Sequence, residues 1–263
     1  MGWRRFERED RLLDAKQEVP RDGELRRLGV LAALGWIDPT AQEILQRHAA
    51  EVDLAQTILG PPGFDYSFAQ FRAAEPELSR AARLLAGAGC EVIIQVGPAF
   101  AYQIGETPAG ARSLAGRLTA ECGIPVILNG VAVIDRLEAA GARRVAMACP
   151  YYDSAWKDEI RAFLERAGYE VLTMQSLLDQ GVYETQAQID ARHWAFPEEE
   201  LITNVRMTRA AAPDAQAILI GGAGARTLNW ISRIQEDLGV PLVSADHALY
   251  CAFVEFAGLA RRA

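Results

Sequence analysis

Two passages with the same grammar, one in each half of the chain, constrain what this sequence can fold into. In the first, Glu91-Val92-Ile93-Ile94-Gln95-Val96 runs into Gly97-Pro98-Ala99. A helix-length segment then leads to Gly123-Ile124-Pro125-Val126-Ile127-Leu128-Asn129-Gly130. In the second, Gln216-Ala217-Ile218-Leu219-Ile220 runs into Gly221-Gly222-Ala223-Gly224, and Gly239-Val240-Pro241-Leu242-Val243-Ser244 follows. Short apolar runs bounded by glycine and proline read as buried strands, and the polar amphipathic segments between them as helices. The opening strands echo each other too: Arg26-Arg27-Leu28-Gly29-Val30-Leu31 and Arg143-Arg144-Val145-Ala146-Met147-Ala148 share charge and pattern. One α/β unit used twice predicts two Rossmann-like lobes with mainly parallel sheets. A pseudo-twofold axis would relate them, with a ligand cleft between and Gly97 and Gly222 at equivalent strand ends. Chance similarity of two βα units is the plainer alternative.

The remaining segments extend this frame. Strands are expected at 27–34, 52–59, 142–149 and 169–174, and helices at 41–51, 75–89, 110–122, 130–140, 155–167, 198–212 and 248–261. Phe64–Arg72 reads as a cleft-lining loop, Pro98–Thr107 as a loop over a strand end, and 175–196 as irregular. Residues 1–25, rich in Arg, Glu and Asp, read as a surface extension or arm. Residues 1–139 with 247–263 are expected to form the first lobe, and 140–246 the second. Alternating strands and helices mean parallel sheets covered on both faces. Ligands in such folds sit beyond the carboxyl ends of the strands. That rule gathers Leu34–Asp38, Gly97–Tyr102, Asn129, Pro150–Asp153, Gly221–Ala225 and Asp246-His247 around one site.

Composition narrows the partners. The 263 residues carry a formal charge of −8 without a basic run, which argues against a nucleic-acid surface. No apolar stretch reaches membrane-spanning length and Met1–Glu18 has no signal-peptide core, so a cytoplasmic protein is expected, with no membrane partner. Cys90, Cys122, Cys149 and Cys251 show no ligand spacing, the three histidines form no zinc motif, and no metal or cofactor is implied. Gly221-Gly222-Ala223-Gly224 lacks the GxGxxG spacing, and Walker A and GxSxG sequences are absent.

Taken in order, the strand–glycine passages, Val145-Ala146-Met147-Ala148-Cys149-Pro150-Tyr151-Tyr152-Asp153 and the Thr227-Leu228 that follows the second glycine turn resemble the aspartate/glutamate racemase superfamily. The likeness runs over roughly residues 26–256 and is closest to the branch holding arylmalonate decarboxylase and maleate cis-trans isomerase. It implies a cofactor-independent enzyme acting on a small carboxylate (malonate, maleate or a related acid) through a stabilised enolate-type intermediate. Such enzymes place a cysteine at one or both of the strand ends that face the substrate. By this pairing the present chain carries glycine at both, Gly97 and Gly222, so proton transfer between two thiols is not available.

Backbone N–H groups around Gly97, Ala99, Gly222, Ala223 and Gly224 remain to cradle a carboxylate, while Pro98 has no N–H to offer. Tyr151 matches the family tyrosine whose hydroxyl bonds the substrate carboxylate; packing at a lobe interface is its plainer role. Asp246 and His247 are the candidates for the missing acid/base groups, with a helix cap as the alternative for Asp246. Asp38 and Asp153 read as helix caps. Trp36, Phe100, Tyr102 and Tyr152 suggest an aromatic wall, with core packing as the alternative, and Asn129 completes the substrate-binding candidates. Cys149, at a strand end, reads either as a cleft residue or as a buried thiol. His193-Trp194 suits a lid or a contact in a possible homo-oligomer. The competing functions are a hydrolase or hydratase using an activated water, or an inactive protein that kept its carboxylate cradle.

Overall fold

The computed structural model describes residues 25–33, 37–60 and 63–261. The first half runs β1 (Arg26–Ala33), α1 (Thr40–His48), β2 (Val52–Leu59), α2 (Phe68–Arg72), α3 (Glu75–Gly87), β3 (Val92–Gln95), α4 (Ala99–Gly105), α5 (Pro108–Cys122), β4 (Val126–Leu128) and α6 (Asn129–Ala139). The second half runs β5 (Arg144–Ala148), α7 (Ser154–Arg166), β6 (Glu170–Gln175), α8 (Gln186–Asp190), α9 (Glu198–Ala211), β7 (Ala217–Ile220), α10 (Ile231–Leu238), β8 (Leu242–Ser244) and α11 (Ala245–Ala257).

Each half forms a four-stranded sheet of parallel pairs, ordered β2-β1-β3-β4 in one and β6-β5-β7-β8 in the other. The two orders are one order written twice. Central strands β1, β3, β5 and β7 are buried along nearly their whole length, as strands covered by helices on both faces must be. The helices α6 and α11, which follow the equivalent last strands β4 and β8, pack against each other. There the Asn129 side-chain amide donates to the carbonyl of Ala245 at 3.2 Å, joining the starts of the two helices.

Several local expectations change: Phe68–Arg72 forms the helix α2 where a loop was expected, and the stretch 175–196 contains the helix α8. The stretch after Gly97 is a helix, α4, rather than a loop, because Pro98 takes up αR geometry and starts the first turn. The glycine turn does not open directly into a helix. A 3₁₀ turn at Thr227–Asn229 comes first, entered through Arg226 in the left-handed region at φ 47°, and α10 starts only at Ile231. The final helix begins at Ala245, three residues earlier than expected, because the Ser244 side chain caps it by accepting from the His247 N–H at 3.1 Å. Asp246 therefore sits inside the first helical turn and is not its cap. Residues 1–24 of the arm expected at 1–25, and Trp36 with its neighbours 34–35, lie outside the described residues.

Candidate functional site

Gly97 and Gly222 each lie two residues beyond the end of their strand, β3 and β7, with φ of +92° and +84°. That backbone region disfavours any residue carrying a Cβ. The equivalence stops at the space around them. Among the described residues, a Cβ added at Gly97 would meet only the Gln95 amide nitrogen, at 3.9 Å. A Cβ added at Gly222 would overlap the Tyr151 hydroxyl and lie 3.1 Å from the Tyr152 hydroxyl. Among the described residues one corner is open and the other is filled by a phenol.

The open corner faces a cavity of about 200 Å³. Gly97, Pro98, Ala99 and Phe100 form one side and Tyr151, Tyr152 and Ala223 the other, so the cavity joins the strand ends of both sheets. Its wall is aromatic. The Phe71 ring lies 4.9 Å from Phe100 and 5.5 Å from Trp156, both edge-on, while Trp156 stands 5.7 Å from Tyr152 and Tyr151 lies 4.7 Å from Tyr152. Edge-to-face rings at these spacings build a rigid apolar box. Asp153 caps α7 by accepting from the Trp156 N–H at 2.9 Å, which fixes where the tryptophan starts its helix.

The polar part is small. The Tyr151 hydroxyl donates to the carbonyl of Ala223 at 3.2 Å, and Tyr151 and Tyr152 are joined through their hydroxyls. Burial pushes both phenols well above their usual range, with Tyr152 adding to the effect at Tyr151. Both stay protonated at physiological pH and act as donors. The N–H groups of Gly97, Gly222 and Ala223 have no acceptor among the described residues. Gly224 differs: its N–H already donates to Asp246 at 3.0 Å, so it is no free member of the cradle. Asp153 and Asp190, at the rim, are exposed.

The other sequence candidates are placed elsewhere. Asn129 is fully buried and lies off the cavity wall. Tyr102 is buried against Phe163, at 4.6 Å, and also lies off the wall. His247 leaves the helix α11 on another side and lines a separate polar cavity with Arg136, Gln235 and Arg261. Burial, with these arginines adding to it, lowers its imidazole to about 4, and its Nε2 lies 3.4 Å from Cys251 Sγ. On a helix, adjacent residues are turned about 100° apart, so Asp246 and His247 cannot share a site. Cys149 is a buried thiol pushed up to about 12 by desolvation, and Cys90 is buried at the far end of its strand.

Asp246 belongs to a buried acidic group that sequence reasoning resolved only in part. Asp38, Glu43 and Asp246 are all at most 2% exposed. Burial raises Asp38 to about 6 and Glu43 to about 7, and it holds Asp246 well above the usual carboxylate range, with the other two carboxyls contributing. Glu43 was missed because within α1 it reads as an ordinary polar helix residue. Tyr66 and Phe71, from the 64–72 stretch expected to line the cleft, and Trp194 do lie on the cavity wall, while Trp156 reads in sequence as an ordinary helix residue. Among the described residues no cluster of three or more His, Cys, Asp or Glu is placed to hold a metal ion, and no helix is long and apolar enough to cross a membrane.

The family model for arylmalonate decarboxylase matches residues 64–263. The chain belongs to the arylmalonate decarboxylase family. The arylmalonate decarboxylase of Bordetella bronchiseptica is 31% identical over 177 residues, covering 67% of this chain and 69% of that protein. Among solved structures, a crystal structure of arylmalonate decarboxylase aligns at a TM-score of 0.71 with 23% identity, over 90% of this chain and 94% of its own. The maleate isomerase of Pseudomonas putida S16, in a cysteine-to-alanine variant with maleate, aligns at 0.75 with 19% identity, over 91% of this chain and 94% of its own. The two-lobed α/β fold is thus that of arylmalonate decarboxylase and maleate isomerase. Family membership gives the coarse class: an enzyme of the lyase or isomerase type, with relatives that act on small carboxylates.

Proposed function

We propose that this protein removes carbon dioxide from a small malonate-type acid bearing a flat apolar substituent, and that the Tyr151 hydroxyl handles the proton a thiol would otherwise carry. The observation that carries the reading is the overlap between the Tyr151 hydroxyl and the side chain that residue 222 lacks. In the racemase-like reading of the sequence, that corner is where the second catalytic cysteine belongs. The phenol reaches the same place from the neighbouring strand end of the same sheet.

The aromatic box takes the apolar substituent. The N–H groups of Gly97 on one side and Ala223 on the other, without an acceptor among the described residues, suit the retained carboxylate and the charge that develops on it. The departing carboxyl loses its C–C bond to the α-carbon, and the bonding pair passes into an enediolate. Low polarity in the box favours loss of the ionised group as neutral carbon dioxide. The α-carbon then takes the proton of the Tyr151 hydroxyl, and the phenolate recovers one from solvent. Burial raises this phenol, so the phenolate is a strong base that regains its proton readily. Cis-trans isomerisation by covalent thiol addition has no counterpart here, because no thiol lines the cavity.

A panel of aryl- and alkylmalonates and maleate in deuterium oxide tests the reading. The expected result is a monoacid with a single deuterium at the α-carbon, formed from the aryl members fastest and unaffected by prior treatment with iodoacetamide. Absence of turnover across the panel, or loss of turnover on thiol alkylation, overturns it.

A further inference from the structure

The acidic residue behind the glycine turn does not line the cavity, yet it is hydrogen-bonded to the turn that carries Ala223, which does. Asp246 is fully buried in the first turn of α11. Its Oδ1 accepts from the Gly224 N–H at 3.0 Å, and its carboxyl also accepts from the Thr227 N–H. Its Oδ2 has no partner among the described residues. A second tie runs parallel: the Thr227 hydroxyl lies 2.5 Å from the Ser244 hydroxyl, which itself caps α11. The start of α11 thus holds both ends of the 224–227 segment. Ala223, the residue before it, offers its carbonyl to the Tyr151 hydroxyl.

This chain of bonds matters because the turn has little else to fix it. Gly222 and Gly224 are both at positive φ, +84° and +89°, and Arg226 is left-handed. Glycines leave many backbone states open, so a single arrangement needs external anchors. We propose that Asp246 is a positioning residue: by accepting from Gly224 and Thr227 it sets the glycine turn, and through the Ala223 carbonyl it sets where the Tyr151 hydroxyl stands in the cavity. This rests on the assignment of proton transfer to Tyr151 for its catalytic meaning, while the positioning itself is a separate, structural matter.

The acceptor, not a charge, does this. Asp38 and Glu43 are buried beside Asp246 and Arg226 lies near them, so three negative charges in that space would repel one another. An amide oxygen accepts the same two hydrogen bonds as a neutral carboxyl oxygen. Asp246→Asn should therefore preserve the corner, and Asp246→Ala should release it.

The experiment places 3-fluorotyrosine at position 151 and follows its fluorine resonance, alongside the affinity for malonate as a probe carboxylate. Asp246→Ala is expected to shift and broaden the resonance and to weaken malonate binding about tenfold. Asp246→Asn is expected to keep the resonance and to stay within twofold in affinity. Thr227→Val, which removes only the parallel tie, should displace the resonance in the same direction by less, and it decides the matter if Asp246→Ala does not fold. An unmoved resonance in both Asp246→Ala and Thr227→Val overturns the proposal, as does an Asn variant as disturbed as the Ala variant. Should the unsubstituted protein fail to bind malonate, the carboxylate reading falls, while the fluorine resonance still decides the positioning.

Discussion

The two glycine corners are alike in backbone and opposite in surroundings. Both follow the third strand in sequence of their sheet, both stand two residues past its end, and both have φ near +90°. Gly97 opens onto the cavity; Gly222 has Tyr151 pressed against it. The backbone of a repeated unit is held by its sheet and helices, which tolerate little change. The volume beside each corner depends on a few side chains from other segments, and these diverge freely. The second corner is filled by the Pro150–Asp153 turn of the second half, which throws Tyr151 across the mouth of its own sheet.

The sharpest way to break the comparison is to put the same side chain at both corners. Gly222→Cys forces a Cβ into the Tyr151 hydroxyl at an unfavourable φ, and it should cost about 3 kcal/mol or more. Gly97→Cys meets no described atom closer than 3.9 Å, so the backbone cost of about 1–2 kcal/mol is the expected loss. Urea unfolding of the pair checks both; equal losses would mean the corners are not distinct.

Removing the phenol oxygen is a smaller change. Tyr151→Phe should weaken binding of a small carboxylate by roughly 1–3 kcal/mol, as expected for loss of a buried hydroxyl partner, and it should stop α-deuteration of the product. Calorimetry and proton NMR read these two outcomes.

The acidic group beneath the filled corner gives a pH test. The folded state raises Asp38 to about 6 and Glu43 to about 7, above their ordinary values. Their neutral forms therefore favour the fold. That contribution is complete below about pH 4 and is lost as the pH climbs through 6 and 7. Asp38→Asn keeps the acceptor for the Thr40 N–H at 2.8 Å but has no proton to lose. Relative to the unsubstituted protein it should gain roughly 1–3 kcal/mol of stability between pH 5 and pH 8, seen in urea titrations at the two pH values. A constant difference would show that Asp38 is ionised throughout.

The smallest effect belongs to His247. It faces the separate cavity with Arg136 and Arg261, so His247→Ala should leave carboxylate affinity within twofold. A large loss would bring that cavity into the site.

Much of this architecture is legible in the residues. The paired Gly-Ile-Pro-Val-Ile and Gly-Val-Pro-Leu-Val strands and the two arginine-led opening strands announce a repeated α/β unit, because strand runs and their glycine endings are local signals. The helix at 99–105 was hidden by Pro98, which reads as a breaker but starts this helix. At the site, Gly97, Ala223 and Tyr151 follow from their places at strand ends. The contrast between open and filled corners does not, since it depends on how a side chain at 151 lies against a backbone 71 residues away. Asp246 and His247 look equivalent as a pair in sequence. Only the turn of the helix that contains them separates an anchor from a residue of another surface.

The central claim is that Tyr151 occupies the room residue 222 would need. A double-mutant cycle of Gly222→Cys with Tyr151→Ala, followed by urea unfolding, tests it most directly. If the claim holds, the cysteine is much less damaging once the phenol is gone, and the two losses fall short of additivity by 1 kcal/mol or more, on the order found for contacting residues. Strictly additive losses would mean that the phenol and the glycine do not compete for one place, contradicting the account.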